Sequence, residues 1–215
     1  TSLARSRLAI LPVFNYHINS NAMKQFTPQT FNIPALIGIS AKNIEEHLKL
    51  YEGYVKHFNL VHEVVENQTI PEYARRETYR RQAFEFDGMR NHEYYFRSLE
   101  GGPKEISTDS ALYKKIVEWT GSFDTFMTIF KNLATSRGIG WAMLGYDKKT
   151  DTLIQYWVDE QHFGHLTGVS PILALDMWEH AYVADYQPSG KKQYVEDFFK
   201  NVNWGVIEEN FNGSN

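Results

Sequence analysis

An aspartate and a histidine in the last quarter of the chain, Asp176 and His180, stand four residues apart. At this spacing a carboxylate oxygen and an imidazole nitrogen can reach the same metal ion. The chain contains eight histidines and no cysteine, so a metal site must use His, Asp, Glu or water as ligands. The spacing alone is weakly informative, because a capping Asp beside an interface His would give the same pattern.

Predicted strands lead up to this pair. Asp176 ends a short apolar run over residues 171–175, which is typical of a buried strand. Two earlier segments, 140–146 and 152–158, are apolar and aromatic, and the polar turn 147–151 between them predicts a hairpin. Together the three segments predict a small antiparallel sheet.

The first half of the chain is predicted to be helical. Apolar residues recur every three or four positions from Ser40, a plausible N-cap, to about Val65, and a second helix is predicted from Glu72 to Leu99. Glycines and a proline over 101–103 end that helix and mark a boundary between the two halves. Shorter helices are predicted over 109–118, 123–137 and 191–202.

We therefore predict an α+β fold, with an N-terminal two-helix antiparallel hairpin followed by an α/β domain with a three-stranded antiparallel sheet. Residues 25–103 would form the helical hairpin domain and residues 104–215 the C-terminal α+β domain. The 215 residues are 42% hydrophobic and 15% aromatic, enough for one domain or two small ones. No run approaches the roughly 18 apolar residues of a membrane span. The net charge of −4 gives no sign of a nucleic-acid-binding surface, so we expect neither membrane nor nucleic acid as a partner.

The N-terminal segment has a composition of its own. Residues 1–44 contain four basic residues and no acidic one. Such a start is typical of an organelle transit peptide, although a leader ahead of a start at Met23 or a flexible arm also explains it. We interpret residues 1–24 as a leader or flexible arm and expect a cytoplasmic protein. The alternative is the mitochondrial matrix, if residues 1–22 are a transit segment.

Several motifs carry a family resemblance. Residues 175–182, Leu-Asp-Met-Trp-Glu-His-Ala-Tyr, resemble the C-terminal signature of the iron/manganese superoxide dismutases, Asp-x-Trp-Glu-His-Ala-Tyr. The resemblance continues in Gly-Ile-Gly-Trp at 138–141 and Asn-Val-Asn-Trp at 201–204. In the helical half, residues 44–47 with Tyr54-Val55, and the pair Asn91-His92, are similar to the two ligand helices of that family.

The resemblance implies a metal site and an activity. One Mn or Fe ion per chain would be held by His47, His92, Asp176 and His180, with water or hydroxide as a fifth ligand. Three imidazoles and one carboxylate suit these redox-active metals. The implied enzyme is a superoxide dismutase, an oxidoreductase that disproportionates superoxide to dioxygen and hydrogen peroxide while the ion cycles between 3+ and 2+.

The family also has a Gln or His that hydrogen-bonds the metal-bound solvent. In the family this residue comes from one of two sequence positions. The first corresponds to Gly88 in this chain, which offers no side chain, and the second corresponds to Gln161. A one-residue slip would put His162 in this role instead. Gly and Gln in these places are usual in the manganese enzymes, so Mn is favoured. The rest of the implied catalytic set is Tyr54, Trp141, Trp178, Glu179 and Tyr182.

Some positions depart from the family pattern. Tyr54 lies seven residues after His47 where the family has eight, and seven residues turn a regular helix by about 700°, which keeps both side chains on one face. Leu50-Tyr51 replaces a His-His pair of the family, and Val183 replaces its second Tyr after His-Ala. In the family, a His of that pair and that Tyr form a bridge between two subunits, so the resemblance implies that both ends of the bridge are absent here. We still expect a homodimer through Glu179 and His180, with each Glu accepting a hydrogen bond from the ligand histidine of the other subunit. The remaining histidines, at 17, 57, 62 and 165, fit ordinary surface or core positions.

Two other classes of protein are alternatives. A non-catalytic dismutase-like protein, such as a subunit of the mitochondrial ribosome, would not need a buried set of three His and one Asp, which is unfavourable without a metal. A hydrolytic metal site lacks a spare general base near these ligands. A superoxide dismutase is therefore the favoured hypothesis.

Overall fold

The structure, a computed structural model, describes residues 25–214. Along the chain lie α1 (Ala41–Glu66), α2 (Glu72–Arg97), α3 (Ala111–Thr120), α4 (Phe123–Ala134), β1 (Gly140–Asp147), β2 (Thr152–Asp159), β3 (Ser170–Asp176), α5 (Lys191–Asn201) and α6 (Trp204–Ser214). The predicted fold class is confirmed, with two long helices followed by an α/β region. The predicted leader or arm over 1–24 lies outside the described residues, and the division into two domains after residue 103 stays a prediction.

The two long helices form the predicted hairpin. α1 begins after Ser40, whose side chain accepts a hydrogen bond of 3.1 Å from the backbone N–H of Asn43. The buried residues of α2 all lie in its C-terminal part, between Gly88 and Phe96. This end of α2 packs on β3 as well as on α1. Side chains of both helices are therefore removed from water at this end of the hairpin.

The sheet is antiparallel throughout, with the order β2-β1-β3. The central strand β1 is buried from Gly140 to Tyr146. Its register places Trp141 beside Asp176 of β3 and Val158 of β2. Gly140 has a φ of +150°, and a Cβ there would collide with the carbonyl oxygen of Val158. Glycine is therefore required at the position that sets Trp141 next to Asp176.

The last helix, α6, was not predicted. It buries Trp204, Ile207 and Phe211, which recur at spacings of three and four, and it packs on β3. Gly205 and Gly213 each lower helix propensity by about 1 kcal/mol, which weakens the local signal. The predicted ends of α2 and α4 were also too late, since these helices stop at residues 97 and 134. Among residues 25–214, no helix is long and apolar enough to cross a membrane.

Candidate metal centre

Four side chains from both halves of the chain converge where α2 packs on β3. His47 comes from α1, His92 from α2, and Asp176 ends β3. After Asp176 the chain makes a 3-10 turn, Glu179–Ala181, which brings His180 back to the carboxylate. Ligand atoms of the four residues all lie within 4.8 Å of one another. The structure thus brings together the four ligands that the sequence suggested.

The Asp176 carboxylate is at the centre of this cluster. Its Oδ2 lies 3.0 Å from His47 Nε2, 3.1 Å from His180 Nε2 and 3.5 Å from His92 Nε2. Its Oδ1 accepts a hydrogen bond of 2.8 Å from the backbone N–H of Trp178, which fixes the carboxylate plane. Asp176 and His92 are fully buried, whereas the His180 side chain keeps 26% of its surface exposed. His180 therefore lies on the side of the cluster that is open to solvent.

The two ring nitrogens of His92 have different surroundings. Its Nδ1 carries a hydrogen, because it contacts the carbonyl oxygen of Gly88, which can only accept. In the neutral ring the lone pair is then on Nε2. That Nε2 is buried and has no hydrogen-bond partner among the described residues. A buried lone pair without a donor is unfavourable unless a cation takes it, so this ring fits a metal ligand.

The electrostatics favour the protonation states that a metal requires. Burial lowers the pKa of His92 to about 3, and the neighbouring His47 adds to this effect. Burial also lowers the pKa of His47, although Asp176 acts in the opposite direction. Burial alone would raise the pKa of Asp176, but the His180 and His47 imidazoles outweigh it and hold this pKa below its ordinary value. At neutral pH His47 and His92 therefore present unprotonated imidazole nitrogens beside a carboxylate, and the three His and one Asp are a donor set that suits Mn or Fe.

A buried amide borders the cluster. Gln161, in the loop after β2, is fully buried. Its Oε1 accepts a hydrogen bond from the Trp141 indole N–H, and its Nε2 donates to the Tyr54 hydroxyl, both at 2.9 Å. An indole N–H can only donate, so the orientation of the amide is determined. The rings of Trp141 and Tyr54 lie 4.9 Å and 5.1 Å from the His92 ring. The network therefore lies directly beside His92, one of the four residues that could hold a metal ion.

His162, the alternative to Gln161, takes a different place. Its ring packs against Phe163 at 3.9 Å and Phe84 at 5.7 Å between centroids. Gln161 is thus the one of the two whose side chain reaches the network beside His92. That either residue hydrogen-bonds a metal-bound solvent molecule stays a prediction.

Gly88 makes room for the Tyr54 ring. A Cβ added to Gly88 would lie 2.6 Å from Cδ1 and 2.8 Å from Cε1 of Tyr54. Both distances are well inside van der Waals contact, so the ring lies directly on the backbone of α2. Since α1 is a continuous α-helix from Ala41 to Glu66, Tyr54 and His47 share one face of it, as their spacing of seven predicts.

The chain is similar to known proteins over most of its length. Residues 108–210 match the family model described as iron/manganese superoxide dismutases, C-terminal domain. A protein named superoxide dismutase (Fe) from Aquifex aeolicus (strain VF5) is 35% identical over 185 residues, which cover 82% of this chain and 85% of that protein. The chain belongs to the iron/manganese superoxide dismutase family.

Other relatives in the family bear the names of both metals. A superoxide dismutase (Fe) from Tetrahymena pyriformis is 31% identical over 172 residues, 77% of this chain and 87% of that protein. A superoxide dismutase (Mn) from Mycobacterium leprae (strain TN) is 35% identical over 132 residues, 60% of this chain and 62% of that protein. The predicted family is confirmed, and with it the assignment to a family of oxidoreductases.

The other predicted residues of this dismutase family member lie on the turn that carries His180. Trp178 stacks on His180 with centroids 5.7 Å apart, and its indole N–H donates to the carbonyl of Glu160 at 3.0 Å. Glu179 is exposed at the start of the turn. Tyr182 is buried and stacks on Tyr194 at 5.3 Å, so it supports the turn from the core side. Catalytic roles for these residues stay predictions.

Tyr51 stands where the sequence departs from the family pattern, and its hydroxyl finds partners within the chain. The Tyr51 hydroxyl is buried, donates to Glu93 Oε1 at 3.1 Å and accepts from the backbone N–H of Gln29 at 2.9 Å. Both partners belong to the same chain, so the hydroxyl is satisfied without a second subunit. Val183, the other departure from the family pattern, is 44% exposed and its side chain carries no polar group.

Two residues behind Gln161 have no predicted role. The Asn91 side-chain N–H donates to the main-chain carbonyl of Gln161 at 3.0 Å, and the same nitrogen lies 3.4 Å from His165 Nε2. The position of Asn91 directly before a ligand is a signal that could have pointed to it. His165 carries no such signal in its local sequence.

Proposed function

We propose that this chain disproportionates superoxide to dioxygen and hydrogen peroxide with one Mn or Fe ion held by His47, His92, Asp176 and His180. When bound, the ion would supply the redox chemistry by cycling between its 3+ and 2+ states. The observation that carries the proposal is the buried Nε2 of His92, which lacks a partner among the described residues and faces the Asp176 carboxylate at 3.5 Å. A structural protein would gain nothing from this arrangement.

Tyr54 is suited to hold a proton at the edge of the site. Two superoxide ions give one dioxygen and one hydrogen peroxide only when two protons are supplied. Burial, together with the charges of Asp176 and Glu85, raises the pKa of Tyr54, so its hydroxyl is protonated at neutral pH. That hydroxyl accepts its hydrogen bond from Gln161, which leaves its own hydrogen free to be donated elsewhere. We therefore assign Tyr54 the role of holding a proton and orienting it toward the site through a donated hydrogen bond.

We also propose that Mn is the favoured metal. Gly88 contributes no side chain, and the amide beside the ligands comes from the loop after β2 instead. Gln161 is held at both ends of its amide, by Trp141 and Tyr54. This combination of Gly and Gln is the one that resembles the manganese enzymes of the family.

We further propose a homodimer in which Glu179 and His180 meet their counterparts. Glu179 is exposed, and its carboxylate has no hydrogen-bond or ion-pair partner between residues 25 and 214. His180 uses Nε2 toward Asp176, so its Nδ1 is available to donate to another acceptor. A Glu179 carboxylate from a second copy would provide one and would orient the imidazole of a metal ligand.

Metal loading combined with a superoxide assay tests the activity. The full chain, loaded separately with Mn and with Fe, should bind about one ion per chain and be active with at least one of them. His180→Ala should lose both metal and activity. His57→Ala, which removes an imidazole that is 56% exposed on α1, is the matched control and should keep both. A wild-type chain that binds neither ion, or that binds them without activity, would overturn the proposal. The more active form identifies the metal.

A further inference from the structure

Gln161 needs support for its backbone as well as for its amide. It lies in a tight turn after β2 that is closed by two backbone hydrogen bonds between Asp159 and Phe163, of 2.8 Å and 3.1 Å. The residue before it, Glu160, has a φ of +51°, a left-handed conformation that is unusual for a residue with a side chain. Holding the Gln161 amide between Trp141 and Tyr54 therefore also requires contacts that fix this turn relative to the helical hairpin.

One side chain donates to the main-chain carbonyl of Gln161, and a second side chain contacts the first. Asn91 donates to it at 3.0 Å, and the Asn91 amide nitrogen lies 3.4 Å from His165 Nε2. An amide nitrogen carries two hydrogens, so Asn91 can donate to both acceptors when His165 Nε2 is unprotonated. Burial lowers the pKa of His165 and keeps its ring neutral, while a hydrogen bond with the Gln161 backbone acts in the opposite direction.

We propose that His165 is a positioning residue for Gln161 that acts through Asn91, whose amide donates to the Gln161 carbonyl. The inference rests on the proposed function only for the task of Gln161, since the contacts themselves involve no metal. Asn91 directly precedes His92 on α2, so the contact ties the Gln161 loop to a helix that carries a ligand. Without His165, the second N–H of the Asn91 amide loses its acceptor, and the amide is held at the Gln161 carbonyl alone, which leaves the position of the loop less well defined.

A packing role for His165 is the competing explanation. Its ring also lies 6.3 Å from the Tyr156 ring. If His165 only fills space, leucine should replace it and the more polar glutamine should not. If it positions Gln161 by hydrogen bonding, the reverse holds, because the amide of glutamine offers an acceptor and a donor near the place of Nε2. The two substitutions therefore separate the explanations.

The Trp141 indole N–H gives a direct measure of where the Gln161 amide lies. The full chain, loaded with Zn²⁺, a diamagnetic ion that accepts His and carboxylate ligands, is suitable for ¹H–¹⁵N spectra. Its five tryptophans give five indole signals, and Trp141→Phe identifies the relevant one. His165→Leu should shift this signal toward that of an indole without an acceptor, and His165→Gln should restore it. His162→Leu removes a neighbouring imidazole that does not contact Asn91 and should leave the signal in place.

Activity provides the second measurement. In the Mn- or Fe-loaded chain, His165→Leu should lower turnover about tenfold at unchanged metal content, with recovery in His165→Gln. If His165→Leu does not fold, His165→Asn, which stays polar but is shorter, should give the same shift of the indole signal. The positioning role would be overturned if His165→Leu and His165→Asn kept the wild-type Trp141 indole signal. It would also be overturned if His165→Gln shifted that signal as much as His165→Leu does. If the signals behave as expected but no metal supports activity, the proposed function fails and the positioning role stands.

Discussion

Replacing Gly88 by alanine should destabilise the protein even though alanine is the better helix former. In the interior of α2, the change from glycine contributes about 1 kcal/mol of stabilisation. Against this, the added Cβ would lie 2.6 Å from the Tyr54 ring, and overpacking of this kind costs about 1–3 kcal/mol. A displaced ring also loses its hydrogen bond with Gln161, worth about 1 kcal/mol. The sum is a net loss of about 1–3 kcal/mol.

The chain contains a matched control for this substitution. Gly53 lies inside α1, and a Cβ added there would meet no atom within 4 Å. Gly53→Ala should therefore stabilise the protein by about 0.5–1 kcal/mol. Urea unfolding of the wild type and both variants measures the two changes, which should have opposite signs.

A third variant identifies the contact that causes the loss. In a Tyr54→Ala background the ring is absent, so Gly88→Ala should become neutral or stabilising. Should Gly88→Ala stabilise the wild-type chain as much as Gly53→Ala does, the Tyr54 ring is not held against α2, and our account of the Gln161 network is wrong.

Three further changes test other parts of the site. Tyr54→Phe leaves the buried Gln161 Nε2 without an acceptor, so it should lower the free energy of unfolding in urea by about 1–3 kcal/mol while the metal content stays the same. Full activity in this variant would contradict the proton role of the hydroxyl. The pKa of His92 is about 3 in the folded protein against 6.5 for the ordinary side chain, so the unfolded chain binds the proton more tightly. The metal-free protein should therefore lose stability as the pH falls from 6.5 toward 3, and an equal melting temperature at pH 7 and pH 4 would refute this. Glu179→Ala should weaken dimer formation, measured by sedimentation, and metal retention, measured by elemental analysis. Glu118→Ala, a change at another exposed Glu, is the control and should affect neither. A metal-loaded monomer of full activity would exclude the proposed interface.

The fold was largely predictable because its signals are local. The face of α1 repeats every three or four residues, and the two strands of the hairpin enclose a polar turn. Asp176 and His180 could be singled out because a strand end and a short turn bring a pair at this spacing together. Helix α6 was missed because its apolar pattern is short and contains two glycines.

The surroundings of the metal ligands could not be predicted in the same way. The hydrogen bond between Gln161 and Tyr54 joins residues 107 positions apart, and the contact of Asn91 with His165 joins residues 74 positions apart. Such contacts depend on how the hairpin packs on the sheet, which no local pattern specifies. Gly88 likewise looks like an empty position in the sequence, and its role in seating Tyr54 becomes visible only once α1 and α2 are in contact.

The wide distribution of the ligands along the chain determines when a metal can enter. His47 and Asp176 are 129 residues apart, and closing so long a loop early in folding has a high entropic cost. The ion therefore cannot serve as a folding nucleus, since the complete donor set exists only after the hairpin has docked on the sheet. Metal binding should then leave the folding rate nearly unchanged and slow unfolding instead. The ion would act mainly on the lifetime of the folded protein, and we expect it to enter after the chain has folded.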